Sequence, residues 1–273
     1  MTSKNFYEAQ EIVGQHEIGT PLLLSGQGNI ADRIEISGKL SARIQALSRI
    51  TVGLAYYSVR RFDRALTILQ STETVEGWED SEGKQVLYLL IGNAAGKLSD
   101  FGVAAAYYER SRKLDPDYAR AYIGLANVDR SLALKLFEQT QNPADIDSDL
   151  IDQAVRTYQQ AIKAAHQSSL SDVSTKVHFG LGECYLLRTY SGKEQSFDAA
   201  VGEFRAVIGE YADGANPRVR ELAAESHARL GLIYDLSGHT DQAIKEYQMA
   251  ATLLYDNPDR QLEYQQRAQK LQS

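Results

Sequence analysis

A short pattern that returns along the chain constrains the fold most strongly. Its fullest copy places a large, a small and an aromatic residue in the first half, and a small, an aromatic and a small residue in the second half. Within residues 230–250 these are Leu230, Gly231, Tyr234, Ala243, Tyr247 and Ala250. Each half has helical spacing, and Ser-Gly at 237 and 238 supplies a turn. The stretch therefore predicts two short helices packed against each other.

The same order occurs five times. We call the small residue of the first half the glycine slot and the first small residue of the second half the alanine slot. The five glycine slots are Gly53, Gly92, Ala126, Gly182 and Gly231, and the five alanine slots are Ala65, Ala104, Ala154, Ala200 and Ala243. In the first, second and fifth copies the alanine slot is the twelfth position after the glycine slot. The distance from Gly92 to the next glycine slot, Ala126, gives a period of thirty-four positions.

This pattern and its period resemble the tetratricopeptide repeat (TPR) family over about residues 47–250. The resemblance implies an all-α fold, a right-handed α-solenoid of about five helix–turn–helix units with a C-terminal capping helix. We expect the repeat array to occupy residues 47–255.

The third and fourth copies have a longer interval between their two slots than the other three. The third copy runs from Ala126 to Ala154, and the fourth runs from Gly182 to Ala200. We expect an insertion at about 132–148 to extend both helices of the third unit and to add a turn at 141–144. The extra residues of the fourth unit should form an elongated turn at 189–194.

The two ends fit no repeat. Residues 1–46 contain a short helical stretch at 5–13 and a glycine-rich loop that reads GxGxxA at 26–31. A dinucleotide site would need a βαβ unit around that motif, which the following sequence does not offer, so a loop before a helix is favoured. Residues 256–273 contain a strongly polar helix that suits a solenoid cap.

Composition narrows the classes of function. Hydrophobic residues make up 43% and charged residues 24% of the 273 residues, values typical of a folded soluble protein. A net charge of −7 disfavours non-specific nucleic-acid binding. The apolar runs are too short for a membrane helix, and the N-terminal sequence does not resemble a signal peptide. These features predict a cytoplasmic protein without membrane insertion, whose oligomeric state is open.

No arrangement of residues predicts an enzyme, a cofactor or a metal site. The five histidines are scattered, and Cys184, the single cysteine, is expected to be buried and inert. Asp145, Asp147 and Asp149 resemble the start of a calcium loop, but Leu150 stands at the position of its glycine. We expect these aspartates to cap the following helix. Trp78 is expected to lie buried under a loop.

The TPR resemblance implies a binding face on the first helices of the units. Residues three before, one after and four after each glycine slot should lie on it, as should some residues one turn away. We predict partner contacts from Tyr57, Leu89, Asn93, Lys97, Arg120, Asn127, Arg130, Lys176 and Glu183. Asn93, Lys97, Arg120, Asn127, Arg130 and Lys176 form a polar-to-basic middle, which we expect to bind an acidic segment or a C-terminal carboxylate.

The chaperone-tail clamp of the TPR family is matched only in part. Asn93 and Lys176 stand at two of its positions, but Leu89, Gly124 and Gly180 stand at the other three. We therefore do not expect chaperone-tail binding.

The leading hypothesis is a non-enzymatic scaffold that binds a peptide or a partner domain in the concave groove. One alternative is a regulatory or sensor module of a larger signalling protein. The other is a self-assembling structural protein whose groove is occupied by its own N-terminal segment, residues 5–25.

Overall fold

The protein is all-α over the residues that the structure, a computed structural model, describes, which are 30–78, 83–165, 172–214 and 217–272. The chain forms two compact units, Met1–Leu125 and Ala126–Ser273. This organisation confirms the predicted fold class of helix–turn–helix repeats.

The first unit contains two pairs of antiparallel neighbours and the start of a fifth helix. Its helices are α1 (Ile30–Ser58), α2 (Phe62–Ser71), α3 (Lys84–Lys97) and α4 (Phe101–Leu114), and a 3-10 turn, Thr72–Thr74, follows α2. Helix α5 (Ala119–Ala133) crosses the boundary between the units. Helix α1 packs on α2, α2 on α3, and α3 on α4, as expected for stacked repeats.

The second unit continues the same alternation. After α5 come α6 (Lys135–Thr140), a 3-10 turn (Pro143–Asp145), α7 (Ser148–Ala165), α8 (Val173–Tyr190), α9 (Asp198–Gly214), α10 (Pro217–Leu236), α11 (Thr240–Leu253) and α12 (Pro258–Lys270). Neighbouring helices from α7 to α12 pack in chain order, and the first helices α8 and α10 also contact each other.

Large side chains of the second helices lie against the glycine slots, and in three of the repeats these side chains are aromatic rings. A Cβ atom built on Gly92 would lie 2.6 Å from the Tyr108 ring, one on Gly182 would lie 2.8 Å from the Phe204 ring, and one on Gly231 would lie 2.9 Å from the Tyr247 ring. These distances are shorter than any tolerated contact, so a larger residue would displace the ring. The large-small-aromatic pattern therefore results from the packing of the two helices within a repeat.

The turns between the paired helices share one backbone feature. Arg60, Ser99 and Gly238 lie seven residues after the glycine slots of the first, second and fifth repeats. Their φ values are 61°, 60° and 76°. This left-handed conformation suits glycine best, yet of these three repeats only the fifth has a glycine there. The turn geometry is thus common to these units, whereas the residue that adopts it is not.

The insertion in the third repeat differs from the expectation. Helices α5 and α7 are only slightly lengthened, and most of the extra residues form the separate short helix α6 and a 3-10 turn. Gln141 ends α6 in the left-handed conformation, φ 57°, and Pro143 then begins the 3-10 turn, because proline suits a first helical position. The predicted turn at 141–144 lies at this place.

Asp147 caps α7 as predicted, because its Oδ1 accepts hydrogen bonds from the backbone N–H groups of Asp149 and Leu150. Trp78 is buried, also as predicted. At the C-terminal end, α12 packs its buried Tyr264 against Tyr247 of α11, with ring centroids 6.3 Å apart. This contact packs α12 against the last repeat, at the place where a cap was predicted.

The N-terminal part shows two differences from the repeat pattern. Helix α1 begins at Ile30 and continues without a break past residue 46, where the array was expected to start. Val52, which precedes the first glycine slot, is 46% exposed, whereas a packed position was expected from the pattern. The predicted short helix at 5–13 and the loop at 26–29 lie outside the described residues.

Candidate partner-binding faces

The predicted first-helix residues of the first compact unit, Met1–Leu125, differ widely in accessibility. Tyr57 is half-buried, and its ring meets the Phe62 ring edge-on at 5.1 Å. Leu89 is only 7% exposed, so a partner could reach little of its side chain. Asn93 is half-buried, and its Oδ1 accepts a hydrogen bond from the hydroxyl of Tyr108 at 2.9 Å.

The two basic residues predicted in the first unit lie at helix ends. Lys97 is exposed in the last turn of α3. Arg120 is half-buried in the first turn of α5 and already interacts with other residues of the chain. Of these two cations, Lys97 is the more accessible to a partner.

In the second compact unit, Ala126–Ser273, Asn127 repeats the arrangement of Asn93. It lies one repeat period later in the sequence. Its Oδ1 accepts a hydrogen bond of 2.6 Å from the hydroxyl of Tyr158 on α7. Nη2 of Arg130 lies 3.5 Å from the same oxygen. Because Oδ1 is the acceptor in both contacts, the orientation of the amide is defined.

A carboxylate between two guanidinium groups dominates the charge of this face. Glu183 accepts hydrogen bonds from Nη1 of Arg130 at 2.8 Å and from Nε of Arg229 at 2.5 Å. The side chains of Glu183, Arg130 and Arg229 are 12%, 19% and 33% exposed. We call these three residues the Glu183 bridge. It carries one net positive charge in a half-buried setting.

The pKa values of the bridge follow from its geometry. Burial alone would lower the pKa of Arg130, but the neighbouring Tyr158 and Glu183 outweigh it and raise the pKa. The same competition, with Glu183 as the opposing partner, raises the pKa of Arg229. Both guanidinium groups therefore remain charged although they are shielded from water.

Lys176, the remaining predicted basic residue, forms an ion pair within its own helix region. Its ammonium group contacts the carboxylate of Asp172, four residues earlier. A partner would have to compete with Asp172 for this charge. The structure thus places Asn127, Arg130 and Glu183 together, and gives Lys176 an intramolecular counterion.

Sequence reasoning missed Arg229, Tyr158 and Asp172 at this face. Arg229 lies two residues before the fifth glycine slot, where the two preceding units have Gly124 and Gly180. An arginine that replaces a recurrent glycine was the available signal. The spacing of Tyr158, four residues after the alanine slot Ala154, indicates packing alone, because nothing in the spacing shows where a buried hydroxyl finds an acceptor.

Three groups with catalytic potential, Cys184, His178 and His227, are either buried or paired with a glutamate. Burial raises the pKa of the Cys184 thiol to about 12, so the thiolate needed for nucleophilic chemistry is scarce at neutral pH. Nδ1 of His178 lies 2.6 Å from Glu203, and Nδ1 of His227 lies 2.6 Å from Glu246. Within the described ranges no three side chains form a metal-binding group. None of the helices described there is long and apolar enough to cross a membrane.

Comparisons with known proteins agree with this fold. Two models of the tetratricopeptide repeat match the chain, over residues 89–128 and 224–253. No curated protein shows significant similarity to the sequence. TTC0263, a thermophilic TPR protein of Thermus thermophilus, is similar in structure, with a TM-score of 0.54, 17% identity, and coverage of 80% of this chain and 96% of its own.

Two MamA structures also match, at a lower level. A MamA mutant has a TM-score of 0.39 and MamA AMB-1 one of 0.37, both with 18% identity over 77% of this chain, and they cover 98% and 92% of their own chains. The chain therefore contains tetratricopeptide repeats, which act in general as protein-interaction modules, and its all-α repeat fold is similar to that of a solved TPR protein.

Proposed function

We propose that the protein is a non-enzymatic scaffold that binds an extended acidic peptide segment on the first-helix face of its second unit. Asn127, Arg130, Glu183 and Arg229 form the centre of this face, and Lys176 is a further cation on it. The polar-to-basic residues of the first unit, above all Asn93 and Lys97, offer a comparable but separate face.

The hydrogen bond from Tyr158 to Asn127 carries the proposal. Because Oδ1 of Asn127 is already an acceptor, its Nδ2 group is oriented as a donor, and no hydrogen bond from Nδ2 occurs within the described part of the chain. An extended peptide has a carbonyl at every residue, so a pre-oriented amide donor can bind it without reference to its side chains. Pre-orientation lowers the entropic cost of binding.

The Glu183 bridge supports the preference for acidic partners. Two guanidinium groups share one carboxylate, and the guanidinium of Arg229 is the more exposed of the two. A carboxylate of the partner could therefore bind to Arg229 while Arg130 stays paired with Glu183. Charge-assisted hydrogen bonds of this kind are stronger than neutral ones.

Fluorescence anisotropy with three labelled peptides tests the proposal. One peptide is rich in Asp and Glu, a second has Gln and Asn instead, and a third is rich in Lys. We expect the acidic peptide to bind most tightly and to weaken with added salt. The double variant Lys176→Gln/Arg229→Gln should weaken acidic-peptide binding about tenfold, since this corresponds to about 1.4 kcal/mol of lost interaction.

The matched control removes the same charge elsewhere. Lys163 and Arg205 are exposed on the second helices α7 and α9, and Lys163→Gln/Arg205→Gln should leave peptide affinity within twofold of the wild type. Equal weakening by both double variants would mean that overall charge alone attracts the peptide. Equal affinity for all three peptides would contradict an acidic preference, and no binding of any of them would contradict the site itself.

A further inference from the structure

The first helix exposes a long face without charge. In the described side chains between residues 40 and 59, the exposed positions are Leu40, Ser41, Ile44, Gln45, Ser48, Thr51, Val52, Ala55 and Val59. We call these residues, the last of which follows the end of α1 by one position, the outer face of α1. None of them is charged, although charged residues make up 24% of the chain. Leu40, Ile44, Val52, Ala55 and Val59 are apolar, and contiguous exposed apolar surface marks sites of interaction.

In later repeats, residues at the same positions relative to the glycine slot are buried. Ser48 lies five positions before the glycine slot of its repeat, Val52 lies one position before it, and Ala55 lies two positions after it. The equivalent residues of α3, α8 and α10 are buried, and they are Leu87, Ile91, Ala94, Val177, Leu181, Cys184, Ser226, Leu230 and Ile233.

These positions are buried because they pack on the preceding repeat. Ile91 belongs to the same hydrophobic cluster as Leu69 of the preceding second helix. Leu230 shares a cluster with Phe204, which also precedes it by one repeat. The outer face of α1 is therefore the surface on which another element would pack, and among the described residues no element covers it.

We propose that residues 5–25 of the same chain cover the outer face of α1. At helical spacing, Phe6, Ala9 and Val13 share one side, and Glu8 and Glu11 lie on the other. An apolar run, Pro-Leu-Leu-Leu at 21–24, follows. An amphipathic helix with an apolar side is the element that an uncharged helix face accepts.

The tether favours this segment over a second copy of the chain. The outer face of α1 is about 30 Å long and about 10 Å wide, which gives roughly 300 Å², well below the roughly 800 Å² per partner of a stable protein–protein interface. A segment joined by a short linker has an effective concentration in the mM range, so a small contact is sufficient. Residues 26–29 join the segment to the start of α1. Leu40 lies about 15 Å along the helix from Ile30, and the segment spans about 30 Å even when fully helical, so it can reach the face.

Hydrogen–deuterium exchange of the full-length chain, read by mass spectrometry, tests the proposal. In the wild type we expect the amides of residues 5–25 to exchange at least tenfold more slowly than in an unstructured peptide of the same sequence. Ile44→Asp/Val52→Asp should abolish this protection. Peptides from residues 84–114 report in the same experiment whether the repeats remain folded.

The control variant places the same charges on other helices. Met249 and Leu262 are 47% and 53% exposed, close to Val52 and Ile44 at 46% and 57%. Met249→Asp/Leu262→Asp should leave the exchange of residues 5–25 unchanged. Unprotected amides in the wild type, or protection that survives Ile44→Asp/Val52→Asp, would overturn the proposal. Protection that disappears on dilution, with a dimer in light scattering, would overturn it in favour of a second copy.

Discussion

The hydroxyl of Tyr158 donates a hydrogen bond of 2.6 Å to Oδ1 of Asn127, and Tyr108 makes the same bond to Asn93 at 2.9 Å. Each tyrosine lies four residues after an alanine slot, and each asparagine lies one residue after a glycine slot. A buried second-helix hydroxyl thus orients a first-helix amide in two successive repeats. The residues that hold a unit together also orient its candidate binding groups.

Tyr158→Phe should reduce both stability and peptide binding. It removes one hydrogen-bond donor from the half-buried acceptor Asn127, which we expect to cost about 1–2 kcal/mol of unfolding free energy in chemical denaturation. Peptide affinity should fall as well, because Asn127 loses its orientation. Tyr190→Phe is the control, since Tyr190 is exposed and packs edge-on against Phe137; its stability should stay within about 0.5 kcal/mol of the wild type.

Two glycine substitutions should have opposite effects. A Cβ on Gly180 would lie 2.2 Å from Cζ of Tyr158, so Gly180→Ala should cost about 1–3 kcal/mol through displacement of the ring. No atom lies within 4 Å of a Cβ built on Gly202, an exposed residue of α9, so Gly202→Ala should stabilise the protein by about 0.5–1 kcal/mol. Thermal unfolding of the two variants would refute this account if both shifted the midpoint in the same direction.

Glu183→Gln should destabilise the second unit markedly. The substitution leaves the guanidinium groups of Arg130 and Arg229 facing each other without a counterion, and loss of one partner from a buried ion pair costs about 3–5 kcal/mol. Glu263, which pairs with Arg267 on the surface of α12, supplies the comparison. Glu263→Gln should change the unfolding free energy by less than about 0.5 kcal/mol; similar values for both variants would mean that the Glu183 bridge contributes little.

His178 should make stability depend on pH. Its hydrogen bond to Glu203 is the largest influence and raises its pKa, burial opposes this, and the charges of Glu203 and Glu210 add to the increase. A raised pKa in the folded state means that the protonated ring contributes stability below the unfolded pKa of about 6.5, and that the contribution is lost as pH rises through the folded pKa.

The wild type should therefore exceed His178→Gln in stability by a larger margin at about pH 5.5 than at about pH 8.5, since the protonated ring is the form that the folded state stabilises. Urea denaturation of both proteins at several pH values measures the difference. A margin that is independent of pH would show that protonation of His178 does not stabilise the fold.

Much of the fold could be predicted from spacing alone. The intervals between Gly53 and Ala65, and between Gly92 and Ala104, locate two helix pairs, because a ring or a branched side chain of the second helix needs a small residue opposite. The inserted helix α6 could not be predicted, since its six residues bury no side chain and so carry no apolar periodicity.

The candidate site was less predictable than the fold. Residue type and position identified Asn127, Arg130 and Glu183, but not that Arg130 and Arg229 share the carboxylate of Glu183. These two arginines belong to different repeats that lie far apart in the sequence, and no local rule relates side chains over such a separation. The binding role of all predicted site residues stays a prediction that the peptide experiment addresses.

The sequence by itself determined the repeat, because a small residue facing a ring, or facing Leu69 in the first repeat, is a local requirement that recurs along the chain. The tertiary structure alone decided which charges are neutralised and which apolar positions are covered. Val52 and Leu230 occupy the same repeat position, yet Val52 is exposed and Leu230 is buried. The physical reason is that burial depends on what packs against a position, and the packing partner belongs to another part of the chain.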